Sequence, residues 1–166
     1  MTYSRFEELP VWQEAIMLVD KVYDMTESKD WPGSRSLRDQ LERAALSVSN
    51  NIAEGFERGT TNELLAFLYI ARGSAGEVRS MLCFIERRKG YAHFKSQISN
   101  LKSIAESCSR QLRAWADHLQ NSDIKGQRHL NEKAKRQYNS KKGAMEFENE
   151  LMNRLPNNHP MRKGKE

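Results

Sequence analysis

Apolar residues recur along the first 120 positions at intervals of three and four, and the strict alternation of a half-buried strand is absent. The pattern predicts four helices. Trp12, Ala15, Ile16, Val19, Val22 and Tyr23 form the first stripe, which opens near Pro10, a residue tolerated in a first turn because the amide it lacks would have no helical partner. Residues 28–36, SKDWPGSRS, end this helix: Pro32 cannot continue it, Gly33 frees the turn, and Ser34 or Ser36 can accept a bond from the next helix's first amides. Leu37, Leu41, Ala44, Ala45, Val48, Ile52 and Phe56 mark the second helix, with Gly59 just past its last turn, where a left-handed conformation costs least. Thr60 and Glu63 fit a capping box, so a third helix starts at about residue 61 and runs through Leu64, Leu65, Phe67, Leu68, Ala71, Ala75, Val78, Leu82 and Ile85. It ends in Arg87-Arg88-Lys89-Gly90, cations that suit the negative end of a helix dipole. In the fourth helix Phe94, Ile98, Leu101, Ala105, Cys108, Leu112, Trp115 and Leu119 step alternately by four and three, a spacing that lets one seam follow its neighbours at a shallow angle. The fold class is therefore all-α, an antiparallel up-down-up-down four-helix bundle over residues 1–120 with a basic C-terminal extension.

After residue 120 the pattern weakens. SDIKG at 122–126 reads as a linker, and the apolar anchors beyond it, from Leu130 to Leu155, are scattered on a helix-forming composition interrupted at Gly143. Residues 156–166 read as disordered, so 121–166 is expected to be partly helical and then disordered. Charge follows the same division. Residues 1–120 carry sixteen Lys+Arg and sixteen Asp+Glu, whereas 121–166 carry eleven and six, so the whole net charge of +5 lies in the extension. Such an asymmetry points to an acidic partner such as nucleic acid, or to a tail that serves solubility.

No run approaches the roughly 18 apolar residues of a membrane span, and the N-terminus lacks the apolar stretch of a signal peptide, so a cytoplasmic location without membrane contact is expected. Cys83 and Cys108 are isolated at apolar helical positions and read as buried thiols. The four histidines show neither HExxH spacing nor a Glu-x-x-His pair, so no metal or other cofactor is expected.

Residues 44–59, AALSVSNNIAEGFERG, interrupt an apolar stripe with polar groups. Ser47, Asn50, Asn51, Glu54 and Arg58 fall on one flank of the second helix, and Gly55 removes a side chain beside it. The third helix offers Ala71, Gly73, Ser74, Ala75 and Gly76. Small residues let two backbones approach and buried Asn and Ser bond across the gap, so this set is expected to be a helix-packing motif, with Gly55 and Gly73 each giving up about 1 kcal/mol of helix propensity. Glu54 has no His or second carboxylate to make it a general acid or base, and an ion pair with Arg72 or Arg79 is expected instead. GSAG at 73–76 lacks the Lys-Ser/Thr ending of a phosphate loop and lies inside a helical period. No catalytic constellation remains.

Two basic clusters are candidates for nucleic-acid binding. One is Arg87, Arg88, Lys89 and Lys95 around the turn between the third and fourth helices; the other is Lys133, Lys135, Arg136, Lys141 and Lys142 in the extension, with Tyr138 among them. Cations neutralise phosphates, and an interleaved aromatic can stack on a base. The alternatives are dipole compensation for the first cluster and a solvated segment for the second.

The opening FEELPVWQEA, the Trp31-Pro32 loop followed by Leu37 and Gln40, the segment LERAALSVSNNIAEGFER and the run FLYIARGSAGEV resemble the small proteins encoded within intervening sequences of 23S ribosomal RNA genes. The resemblance covers about residues 6–119. It implies a four-helix bundle assembled as a ring-like homopentamer without established enzymatic activity. A related branch serves diversity-generating retroelements as an accessory protein that binds a reverse transcriptase and its RNA; Asn-Ile-Ala-Glu-Gly places this sequence nearer the intervening-sequence branch. The expected function is that of a non-enzymatic homo-oligomer binding RNA or other nucleic acid through repeated basic patches, or alternatively a protein-interaction scaffold for a partner such as a reverse transcriptase.

Overall fold

The computed structural model describes residues 3–121 and 132–154, and in the second stretch it leaves the side chains of residues 132–139, 141 and 142 undescribed. Five α-helices and no strand occur among the described residues: α1 (Pro10–Thr26), α2 (Arg35–Glu57), α3 (Thr61–Glu86), α4 (Lys95–Gln120) and α5 (Glu132–Arg154), with short 3-10 helices at Phe6–Glu8 and Lys89–Phe94. The chain divides into two units, Met1–Arg128 and His129–Glu166.

Helix boundaries in the first unit follow local chemistry. Pro10 occupies the first turn of α1. At the start of α2 the Ser34 hydroxyl accepts from the Leu37 amide, 3.3 Å, and at the start of α3 the Thr60 hydroxyl accepts from the Glu63 amide, 3.2 Å, while donating to the Glu63 carboxylate, 2.7 Å. The left-handed ending expected at Gly59 does not occur: no described residue has positive φ. Instead Arg58 turns extended and its amide closes α2 on the Glu54 carbonyl, 3.1 Å. α3 stops at Glu86 rather than at Gly90, and a 3-10 turn carries the chain into α4.

One core lies among α1 to α4. α1 packs on α2 and α4, and α3 packs on the same two helices. Leu41, Ala45, Val48 and Ile52 of α2 meet Leu64, Leu68, Ala71, Ala75, Val78, Leu82 and Ile85 of α3, with Ile98, Leu101, Ala105, Cys108 and Leu112 of α4, all buried. α1 departs from the expected stripe: Leu18 and Met25 are fully buried, whereas Trp12, Ile16 and Tyr23 are only partly covered. Its apolar face is wide, and the most central residues are those nearest both neighbouring helices rather than the largest.

Polar ties link the helices along their lengths as well as near their ends. Glu42, its side chain 13% exposed, accepts from the Thr26 hydroxyl, 2.6 Å, and from Arg38 Nε, 2.8 Å, which joins the end of α1 to the start of α2. Glu14 of α1 accepts from Ser107 Oγ, 3.0 Å, and from the Gln111 amide of α4. Lys102 meets Glu86 at 2.8 Å and Gln120 donates to the Tyr69 hydroxyl at 2.7 Å, pairing each end of α4 with the opposite end of α3.

In the second unit α5 runs through Gly143 without the expected interruption. Met145 and Phe147 are exposed. The expected linker at 122–126 and the expected disorder at 156–166 lie outside the described residues.

Candidate nucleic-acid interface

The polar stretch of α2 splits into an inward and an outward set. Gly55 is buried against α3, where an added Cβ would lie 2.7 Å from Phe67 Cβ and 3.2 Å from Leu64 Cδ1. Asn51 Nδ2 donates to the Ser47 carbonyl, 2.7 Å, and to Ser47 Oγ, 3.0 Å; Ser47 Oγ lies 2.8 Å from Ser74 Oγ; and Ser74 donates to the Ile70 carbonyl, 3.1 Å. Because Asn51 can only donate here and Ser74 gives its proton to Ile70, the order of donation is fixed as Asn51 to Ser47 to Ser74 to Ile70. These four residues and Gly55 form the polar and small-residue part of the contact between α2 and α3, beside the apolar core.

The rest of the expected motif faces outward. Asn50 and Glu54 are exposed, and so are Gly73 and Gly76, with nothing within 4 Å of a Cβ added at either glycine. With Ala71, Ala75 and Val78 on the core face, positions 73 and 76 fall on the opposite side at about 100° per residue. The expected pairing of Glu54 with Arg72 or Arg79 is replaced by a local one. Arg58 meets Glu54 at 2.5 Å within α2, reaches Glu63 at 3.9 Å, and lies 5.2 Å from the centre of the Phe67 ring. The bond to Glu54 holds the Arg58 guanidinium above its ordinary pKa.

Charge concentrates where α3 gives way to α4. Arg87, Arg88 and Lys89 are exposed and line an open groove of about 550 Å³ with Pro32, Gly90 and Tyr91. A second groove, also about 550 Å³, is lined by Ser80, Cys83, Phe84, Arg87 and Arg88, so the two arginines are common to both. Neither lining includes a carboxylate. Lys95, the first residue of α4, is exposed but lines neither groove. The backbone of Lys133, Lys135, Arg136, Lys141 and Lys142 belongs to α5, and their side chains lie outside the described residues.

The loop between α1 and α2 supports this cationic turn. Trp31 packs edge-on against Tyr91 and Phe94, ring centres 5.2 and 6.0 Å apart. At Gly33 a Cβ would lie 2.6 Å from the Trp31 indole and 2.6 Å from the Tyr91 hydroxyl, so no larger residue fits without displacing both rings. Trp31 Nε1 is buried without a hydrogen-bond partner, the one such side-chain atom among the described residues. Burial pushes the Tyr91 phenol above its ordinary pKa, against a downward pull from the Arg88 cation. Sequence reasoning missed Pro32, Phe84 and Tyr91. Phe84 carried a signal, being an aromatic that falls between Leu82 and Ile85 and off their stripe; Pro32 and Tyr91 reach the turn only through tertiary packing.

One of the two thiols departs from expectation. Cys108 is buried, and burial, reinforced by the Glu14 carboxylate, pushes its pKa up to about 12. Cys83 is exposed rather than buried. Among the described residues no group of three or more His, Cys, Asp or Glu is placed to hold a metal ion, and no helix is long and apolar enough to cross a membrane.

Fold and site together describe an all-α protein with a cationic turn at one end of α3. A family model for the 23S rRNA-intervening sequence protein matches residues 7–114, more than half of the chain, and the chain belongs to that family. A crystal structure of a protein with unknown function from the S23 ribosomal protein family of Bacteroides thetaiotaomicron is similar, with a TM-score of 0.57 and 16% sequence identity over 64% of this chain and 97% of that one. At that identity the likeness is one of fold. No curated protein matches the sequence.

Proposed function

We propose that this protein is a non-enzymatic homo-oligomer that binds RNA or another nucleic acid in the cytoplasm through basic patches repeated around the assembly. Its frame is read as an antiparallel up-down-up-down bundle over residues 1–120 with a basic extension, and the family resemblance implies five copies in a ring. The observation that carries the reading is the gathering of Arg87, Arg88 and Lys89 around two adjoining grooves free of lining carboxylates. Three adjacent cations more than offset the roughly half a negative charge of the α3 C-terminus, and repetition in a ring would raise avidity without any new contact. A role in acid–base catalysis has little support, since Glu54 is exposed and held by Arg58, Glu14 accepts two hydrogen bonds from α4, and Glu42 accepts one from Thr26 of α1 and one from Arg38 of its own helix. The test is an electrophoretic mobility series with RNA at increasing salt. Binding at low salt that weakens steadily as salt rises supports the reading; binding that is absent at low salt, or indifferent to salt, overturns it.

One observation favours a second reading, in which the protein is a scaffold for a partner such as a reverse transcriptase. Phe147 and Leu151, four residues apart on one face of α5, are exposed, and an exposed apolar pair on one helix face suits docking into a groove of another protein. A partner-dependent gain in amide protection confined to residues 143–154 would support it.

A further inference from the structure

Phe84 sits at the cationic turn with 53% of its surface exposed, although Leu82 and Ile85 beside it are fully buried. At that exposure the ring gains less from burial than its two neighbours do. Its surroundings are also cationic: it lines one groove with Arg87 and Arg88, the same two arginines line the adjoining groove with Lys89 and Tyr91, and the Arg88 guanidinium lies 5.8 Å from the centre of its ring. The arrangement therefore runs from a flat apolar surface, across two arginines, to a second groove lined by a lysine and Tyr91.

Resting on the nucleic-acid reading above, we infer that the ligand of this turn is single-stranded, with one unpaired base stacked on Phe84 and the flanking phosphates held by Arg87, Arg88 and Lys89. A duplex has its base faces already stacked and offers the turn only phosphates and groove edges, so Phe84 would have no partner. A single strand exposes a base face and a phosphate together. Stacking platforms next to cationic tracks are how proteins hold unpaired strands without reading sequence, because every base has a π-face. Arg88 serves both parts, since its planar cation can lie over the ring or the base and still donate to a phosphate oxygen. Tyr91, 7% exposed and braced by Trp31, marks the far end of the track.

The experiment uses the full chain and fluorescence anisotropy with two labelled RNAs of identical sequence, one single-stranded and one annealed into a blunt duplex. Wild type, Phe84→Ala, Phe84→Tyr and the Arg87→Ala/Arg88→Ala double variant are compared. Tighter binding of the single strand is expected, with Phe84→Ala weakening it by about 5- to 150-fold, the range of one aromatic–base stack. Phe84→Tyr should retain single-strand affinity, and duplex binding should be unchanged by either substitution at Phe84. The double arginine variant should weaken both ligands. If wild type holds the duplex as tightly as the single strand, or Phe84→Ala changes neither ligand or both equally, the single-strand inference falls while phosphate binding by the arginines stands. If wild type binds neither RNA, both readings fall.

Discussion

The hydroxyl of Ser47 lies 2.8 Å from that of Ser74 and ties α2 to α3 near the middle of both helices. Asn51 donates into this pair and the Ile70 carbonyl receives from it, so four residues satisfy one another where two backbones approach closely. Replacing either serine by alanine breaks the link but leaves the other hydroxyl a bond within its own helix, and the expected cost is about 0.5–1.5 kcal/mol. A double-mutant cycle by urea denaturation checks this. The two substitutions should be coupled, the pair together costing less than the sum of the singles.

Gly55 and Gly73 should respond to alanine in opposite directions. At Gly55 the new methyl meets Phe67 Cβ at 2.7 Å, an atom bound to the backbone of α3, so the helices must separate. Overpacking typically costs about 1–3 kcal/mol and the gain in helix propensity returns about 1, so a net loss of stability is expected from Gly55→Ala.

At Gly73 and Gly76 a methyl meets nothing within 4 Å, and Ile70 and Tyr69 are exposed nearby on α3. Within one copy of the chain each alanine should add up to about 1 kcal/mol of stability. If copies assemble through this face, the same substitutions should weaken assembly by holding the partner backbone away. Sedimentation velocity together with urea denaturation separates the two effects. A stabilised variant with unchanged oligomeric state would exclude this face from the assembly.

Cys108 gives stability a pH dependence whose sign follows from its burial. Its thiol ionises at about 12 in the folded chain against 9.0 ordinarily, so the unfolded chain loses this proton first. The contribution is intact below about pH 9 and is lost as pH rises toward 12. Stability should fall more steeply over that window in wild type than in Cys108→Ala. A thiol reagent applied to the native protein at neutral pH should modify Cys83, which is exposed, and spare Cys108.

Helices and caps were legible in the sequence because both are set by neighbours within four residues: the Ser34 and Thr60 caps and the stripe from Leu41 to Phe56 need no tertiary information. The outward placement of Gly73 and Gly76 was legible as well, since the Ala71, Ala75 and Val78 stripe puts both on the opposite side, but residue size outweighed angular position in the expectation. Leu18 and Met25 of α1 were not recognised as core because Trp12, Ile16 and Tyr23 are equally apolar, and only packing against two helices at once decides among them. The cationic run Arg87-Arg88-Lys89 is contiguous in sequence and was visible. Its grooves were not, because Pro32 comes from the loop between α1 and α2 and Tyr91 is set beside it by Trp31, both long-range arrangements.

The most direct test of nucleic-acid binding at this turn is the slope of log affinity against log salt for single-stranded RNA, measured for wild type and for Arg87→Ala/Arg88→Ala/Lys89→Ala. Each phosphate contact on a single strand contributes about 0.7 to the slope. Three contacts predict that the variant binds more weakly at low salt and that its slope is shallower by about 2. An unchanged slope and affinity in the triple variant would contradict the assignment of these residues to the interface.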